Sequence, residues 1–159
     1  MAHVEGQIII HRPVDEVFDF VADERNEPRY NPQMLRAEQT SAGPIGVGAT
    51  FRAVSMSLGR PVEMTIAFTA YERPRRLMST TQLATMDIQG TLTFAPVPVG
   101  TQMNWSWKLK PRGVFKLMAP LITCIGRRQE KMIWTGLKRY LEASPTSQSF
   151  QSFQSQAER

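Results

Sequence analysis

The chain has 159 residues, enough for one domain, and a domain of that size buries roughly 70% of the surface its unfolded chain exposes. Its apolar share of 42% is that of an ordinary globular protein. No apolar run approaches the roughly 20 residues of a membrane-spanning helix, which excludes a transmembrane anchor of that kind.

The start, Met1-Ala2-His3-Val4-Glu5, lacks a basic segment followed by an apolar one, so no secretory signal is expected. Cys124 is the only cysteine. It closes no internal disulfide and reads as a buried small apolar residue in a protein of the reducing cytoplasm. The net charge of +5 is unevenly placed. Lys108, Lys110, Arg112, Lys116, Arg127, Arg128, Lys131, Lys138 and Arg139 face only Glu130 in their stretch. Such a run is a solvated helix face, or it meets an anionic partner.

Residues 3 to 10 read as a strand with Val4, Gly6, Ile8 and Ile10 on one face. Pro13 suits the first turn of a helix, and Asp15 and Glu16 complement the positive end of its dipole. Val14, Val17, Phe18 and Val21 give that helix one apolar face. Pro28 and Pro32 leave residues 23 to 30 as a second short helix or turn.

Turn residues then punctuate an alternating pattern: Gly43-Pro44, Gly59-Arg60-Pro61, Arg73-Pro74, Pro98-Val99-Gly100 and Pro111-Arg112-Gly113. Strands are expected near 34 to 42, 48 to 58, 62 to 72, 76 to 83, 86 to 95 and 101 to 110. Met103, Trp105, Trp107 and Leu109 oppose Gln102, Asn104, Ser106 and Lys108, so the last strand has one dry and one wet face. Met86, Ile88, Leu92 and Phe94 do the same in the strand before, where Gly90 suggests a bend or bulge.

After Gly113 the period becomes helical. Residues 114 to 142 would form a helix of about 43 Å, with Pro120 kinking it or lying in its first turn. Leu117, Leu121, Ile125, Met132, Ile133, Gly136, Leu137, Tyr140 and Leu141 form its apolar stripe. A sheet and a long helix with one dry face each belong against one another. The domain spans 1 to 143. The tail 144 to 159, "SPTSQSFQSFQSQAER", is too polar to offset its ordering entropy and reads as flexible, with Phe150 and Phe153 its apolar points.

Four stretches carry a resemblance: "IIIHRPVDEVFDFVADERNEPRYNP", "GPIGVGATFRA", "AYERPRRLM" and "FKLMAPLITCIGRRQEKMIWTGLKRYLE". In order and spacing, over residues 3 to 142, the chain resembles the START-like (SRPBCC) superfamily, in its polyketide cyclase/dehydrase and lipid-transport branch. The resemblance implies an α+β helix-grip fold, β-α-α-β6-α, in which a strongly curved antiparallel sheet of about seven strands wraps a long C-terminal helix and leaves a cavity. Concentrated methionines and aromatics suit an adaptable apolar wall. The walls would be Tyr30, Phe51, Met64, Phe68, Ile88, Leu92, Met103, Trp105 and Trp107, with Leu121, Ile125 and Met132 from the helix. Tyr30 lies where related chains often carry an aromatic residue at the cavity mouth.

Catalytic signals are sparse. His3 and His11 form no ligand cluster, so no metal or cofactor is expected. There is no nucleophile elbow or dinucleotide fingerprint, and "GPIGVG" is a turn between strands. Glu5, Tyr30, Glu63 and Asp87 are the acid–base candidates, although alternation puts Glu63 and Asp87 on wet faces. Ser55, Ser79 and Thr81 are candidate inward donors.

The leading expectation is binding of a small to medium hydrophobic ligand, lipid, polyketide or quinone-like. The alternatives are a polyketide cyclase, aromatase or dehydratase using acid–base catalysis, and a peripheral module meeting an anionic membrane or the ribosome through Arg127, Arg128 and Lys131. Nucleic acid is not expected, because the aromatics lie opposite the charges. Family membership alone does not separate enzyme from carrier.

Overall fold

A computed structural model describes residues 2 to 143; the tail expected to be flexible, 144 to 159, lies outside the described residues. Seven strands run in the order β1-β7-β6-β5-β4-β3-β2, every neighbouring pair antiparallel. They are β1 (Ala2–Ile10), β2 (Met34–Gln39), β3 (Thr50–Ser57), β4 (Arg60–Glu72), β5 (Arg76–Gln82), β6 (Met86–Val97) and β7 (Gly100–Pro111). Helix α1 (Val14–Val21) and a 3₁₀ segment (Glu24–Arg29) separate β1 from β2, and a second 3₁₀ segment (Gly113–Met118) leads into the long helix α2 (Ala119–Ala143). This is the expected α+β helix-grip arrangement.

The alternation in β7 decides which side is dry. Thr101, Met103, Trp105 and Leu109 are buried, while Asn104, Lys108 and Lys110 are exposed. Register carries that face across the sheet: Trp105 lies opposite Gly6 and Leu92, and Trp107 opposite Val4 and Gly90. Ser79 and Thr81 then follow beside Gly90 and Ile88, with Phe68 and Ile66 beyond them, and Met64 pairs with Ala53.

Two glycines make room for the tryptophans. A Cβ at Gly6 would overlap the ring of Trp105, and one at Gly90 the ring of Trp107. Gly90 is therefore not the bend expected of it, since its register with both neighbours is uninterrupted. The irregularities fall between Met34 and Arg36 in β2 and between Phe68 and Ala70 in β4.

Helix α1 begins after Pro13 with Asp15 and Glu16 in its first turn, and buries Val17, Phe18 and Val21. Phe18 sets its ring edge-on to Tyr71 and Phe94, closing one end of the sheet. Asp19 accepts two hydrogen bonds from the Arg73 guanidinium, 2.6 and 2.8 Å, tying α1 to the turn after β4.

The segment that ends β1 grips the C-terminus of α2. Arg12 Nε donates to the carbonyl of Leu141 (2.6 Å) and Nη2 to that of Glu142 (3.4 Å). The His11 backbone N–H donates to Glu142 Oε1 (3.0 Å), and Lys138 Nζ donates to the carbonyl of Ile9 (2.7 Å). The Arg12 donors satisfy carbonyls that the last helical turn leaves unpaired, and the cations complement its negative dipole end.

The expected stripe on α2 splits into two. Ile133, Trp134, Leu137 and Leu141 are buried, whereas Leu117, Leu121, Ile125 and Met132 are exposed. A helix advances 100° per residue, so residues 121, 125 and 132 lie well round the cylinder from 133, 137 and 141. A single apolar stripe merges two distinct faces. Pro120 occupies the first turn of α2, where its missing N–H removes no helical bond. Cys124, expected inside, is exposed.

Candidate functional site

The inner face of the sheet is fully buried near α1 and less so at the other end, where Ile88 and Trp107 pack with Val4, Leu109 and Ile122 in a second, smaller cluster. Near α1, Phe51, Phe68 and Met103 are fully enclosed, and Leu92 and Trp105 nearly so. At the opposite end Met64, Ser79, Thr81, Ile88 and Trp107 lie on the same face but are only half-buried. The N-terminal half of α2 runs above β1 and β7 there, with Gly126 set close to Val4. Beside it Leu121 is 52% and Ile125 46% exposed.

Leu121, Ile125, Gln129, Met132 and Gly136 form one row on the helix at three- and four-residue spacing. Gln129 Nε2 donates to Gln33 Oε1 (2.6 Å), and Gly136 is pressed against the backbone carbonyl of Tyr30. A side chain at Gly136 would push the two apart. The row is thus turned toward the Tyr30–Gln33 segment that leads into β2, and its apolar members Leu121, Ile125 and Met132 are exposed. The expected wall residues are divided accordingly: Phe51, Phe68, Leu92, Met103 and Trp105 lie in the buried core, Met64, Ile88 and Trp107 are half-buried on the same face, and Leu121, Ile125 and Met132, expected as the helix wall, are exposed.

Between the buried core and the half-buried end stands a carboxyl group that the sequence reading passed over. Glu130 Oε2 accepts a hydrogen bond from Trp107 Nε1 and another from Trp134 Nε1, each 2.8 Å. Burial pushes its pKa up to about 7, against the pull of the two indole N–H groups, and the charge of Glu27 adds to the rise. Glu130 Oε1 has no partner among the described residues.

Trp134 leads to Tyr30, whose ring centroid is 6.2 Å away, and Tyr30 to Phe20 at 5.9 Å. Tyr30 is 8% exposed. Its hydroxyl has no hydrogen-bond partner among the described residues, and it is not among buried polar atoms sealed from solvent, so it opens onto space. Burial, then the charges of Glu27, Glu24 and Glu130, raise its pKa well above that of a free phenol.

Glu24 and Glu27 complete the group. Asn31 Nδ2 donates to Glu27 Oε1 at 2.8 Å, and Glu24 lies near enough for the two carboxyls to act on each other. Burial raises both carboxyls, Glu24 the more strongly because Glu27 also repels its charge. Each retains some accessible surface although enclosed by protein, as expected of groups lining a recess.

The acid–base candidates expected from the sequence lie elsewhere, Tyr30 excepted. Glu63 pairs with Arg52 at 3.1 Å, Asp87 with Arg112, and Glu5 with His3 at 3.8 Å, all on the outer face. The Arg112 hydrogen bond holds the Asp87 carboxyl below its usual range. Ser79 and Thr81 do face inward, and Ser55 donates to the carbonyl of Gln33 at 3.3 Å. Among the described residues no group of His, Cys, Asp and Glu is placed to hold a metal ion, and no helix is long and apolar enough to cross a membrane.

One signal could have exposed Glu130. It stands three, four, seven and eleven residues before Ile133, Trp134, Leu137 and Leu141, and so on the buried stripe. Glu24 and Glu27 gave no such signal, because their placement depends on how the 3₁₀ segment folds back over β2.

A curved sheet holding a helix over a partly open concavity defines a helix-grip fold with an interior recess. The chain belongs to the family described as "Polyketide cyclase / dehydrase and lipid transport", whose profile matches residues 1–142. Its fold is similar to that of TTHA0849 from Thermus thermophilus, at 18% identity and a TM-score of 0.77, covering 90% of this chain and 99% of that one. A START superfamily protein from Mycobacterium smegmatis gives 10% identity, a TM-score of 0.78, and coverage of 89% and 98%. The Zhui aromatase/cyclase from Streptomyces sp. R1128 gives 14%, 0.75, and coverage of 88% and 93%. No curated protein matches the chain significantly.

Proposed function

We propose that the protein binds a small to medium hydrophobic molecule between the inner face of the sheet and the N-terminal half of α2. The observation that supports this reading is the incomplete burial of an apolar face: Met64, Ile88 and Trp107 stay half-buried on the inner side of the sheet, and Leu121 and Ile125 of α2 are exposed. Mostly apolar walls with a few convergent polar groups are what small-molecule sites require. Glu130 and Tyr30 supply those groups at the inner end. On this reading the protein works in a reducing cytoplasm, where the exposed thiol of Cys124 stays unpaired.

Native mass spectrometry of protein taken from its own host tests the reading, together with melting-temperature shifts against lipids, quinones and aromatic polyketides. Bound mass or a shift that disappears in an Ile88→Glu variant is expected. Protein that flies empty and melts unchanged with every compound would end the proposal.

A second reading has one observation of its own. Glu130, with a pKa of about 7, is poised to give or take a proton near neutral pH, as a general acid–base group must. If the protein is a cyclase or dehydratase, turnover of a polyketide-like substrate falls by about two orders of magnitude or more in Glu130→Gln. Unchanged turnover in that variant would exclude Glu130 from the chemistry.

Contact with an anionic membrane fits the carrier reading. Val114 and Leu117, the latter 87% exposed, stand on the surface close in sequence to Arg112 and Lys116, with Arg127, Arg128 and Lys131 farther along α2. Apolar side chains beside cations suit the boundary of an anionic bilayer.

A further inference from the structure

The polar groups at the inner end of the recess are unbalanced in two ways. Of the hydrogen-bond donors there, both indole N–H groups are already engaged by Glu130 Oε2. What remains, once the carboxyls ionise, is mainly acceptor: Glu130 Oε1, the carboxyls of Glu24 and Glu27, and one unpartnered hydroxyl on Tyr30, itself more than nine-tenths buried. A carboxylate ligand would add negative charge to this group, and a ketone could meet only the Tyr30 hydroxyl or a carboxyl that keeps its proton.

Charge is unbalanced as well. Among the described residues no cation pairs with Glu24, Glu27 or Glu130: in the same segment Arg25 is held by Asp23 at 2.8 Å and Arg29 is exposed. The basic residues of α2 are directed elsewhere: Lys138 reaches the β1 end, and Arg127, Arg128, Lys131 and Arg139 are exposed. Carboxyls enclosed without a counter-ion hold their protons unless a positive charge arrives. Aromatic side chains, Tyr30 and Trp134, adjoin this group and are in contact with one another.

We propose that the recess takes amphipathic amines, with the apolar body at the opening and a protonated nitrogen set among Glu130, Glu27 and the hydroxyl of Tyr30. This rests on the reading of the recess as a ligand site. An ammonium group brings three donors and the missing charge, and the adjacent rings add cation–π attraction. Binding of the cation lowers the carboxyl pKa values, so protons leave Glu24, Glu27 or Glu130 as the ligand enters.

The test compares three probes with the same chain, decylammonium, 1-decanol and decanoate, titrated into the full-length protein and followed by tryptophan fluorescence and calorimetry. Decylammonium is expected to bind at least about tenfold more tightly than the other two. Its heat should change with the ionisation enthalpy of the buffer near pH 7, reporting protons released. In a Glu27→Gln, Glu130→Gln double variant the ratio of decylammonium to 1-decanol affinity should fall by about tenfold; Glu27→Gln alone, at a half-buried position, should lower it part of the way.

Equal or tighter binding of 1-decanol or decanoate by the native protein would overturn the amine proposal and leave the hydrophobic site standing. An amine preference that survives in the double variant would overturn it too. Failure of all three probes to bind would remove the hydrophobic site itself, and the proposal with it.

Discussion

Trp107 of β7 and Glu130 of α2 are joined across the sheet–helix interface by a 2.8 Å hydrogen bond from the indole nitrogen to Oε2. Trp134, one helical turn beyond Glu130, donates to the same oxygen. A single carboxyl oxygen therefore satisfies two aromatic donors that would otherwise lose their hydration without compensation. Glu130→Ala should cost about 2 kcal/mol more stability than Glu130→Gln, which keeps an acceptor in place. Equal unfolding free energies for the two variants would show that water replaces the carboxyl without loss.

The same group makes stability depend on pH. Its folded pKa, about 7, lies above the ordinary value of 4.5. Folding therefore favours the protonated form, and the contribution is full below the unfolded pKa and lost as pH rises through 7. By linkage the native protein should lose up to about 3 kcal/mol more than Glu130→Gln between about pH 4.5 and about pH 8. Denaturant titrations of both proteins at the two ends of that range measure the difference. Parallel pH profiles would mean that Glu130 titrates normally.

Gly90 and Trp107 should behave as a coupled pair. With a Cβ at residue 90 overlapping the indole ring, Gly90→Ala should destabilise by about 1–3 kcal/mol as an overpacked site. In a Trp107→Leu background most of that cost should vanish, since the space is then free. A double-mutant cycle that closes additively would refute the steric account.

Much of the architecture is legible in the residues. Alternation in β6 and β7 names the dry face correctly, and turn residues bracket every strand to within a few positions, because period-two patterning and backbone-restricted residues act locally. The candidate site is less legible. Leu121 and Ile125 look like core by residue type, and only the packing of Gly126 on Val4 reveals that the helix rests on a different face. Glu130 reads as a surface acid among cations, though its spacing to Trp134 and Leu137 puts it inside. Glu24 and Glu27 come to the recess through the fold of a 3₁₀ segment, which no periodicity reports.

The exposed apolar residues near the start of α2 make the membrane reading testable. Co-sedimentation with phosphatidylserine vesicles should fall by about tenfold between low salt and about 0.5 M salt, where the Debye length shortens to a few ångströms. Reversing Arg127, Arg128 and Lys131 to glutamate should abolish it, and Leu117→Ser should weaken it at every salt concentration. Binding unaffected by the charge reversals would exclude an electrostatic contact through this helix.

Helix α2 is fastened most firmly at its C-terminal end. Arg12, His11 and Lys138 pin its final turns to the close of β1, whereas its first turns carry bare leucine and isoleucine on one flank. Mechanically it is a beam rooted at residues 138 to 142, held again where Gly126, Gln129 and Glu130 meet Val4, Gln33 and Trp107, and least held in its first turn near residue 119. Amide hydrogen exchange should accordingly run faster in the early turns than in the late ones, and Arg12→Ala should narrow that gradient by loosening the root. A guest entering beside Leu121 would then need only a small tilt of the beam, with no strand pairing broken.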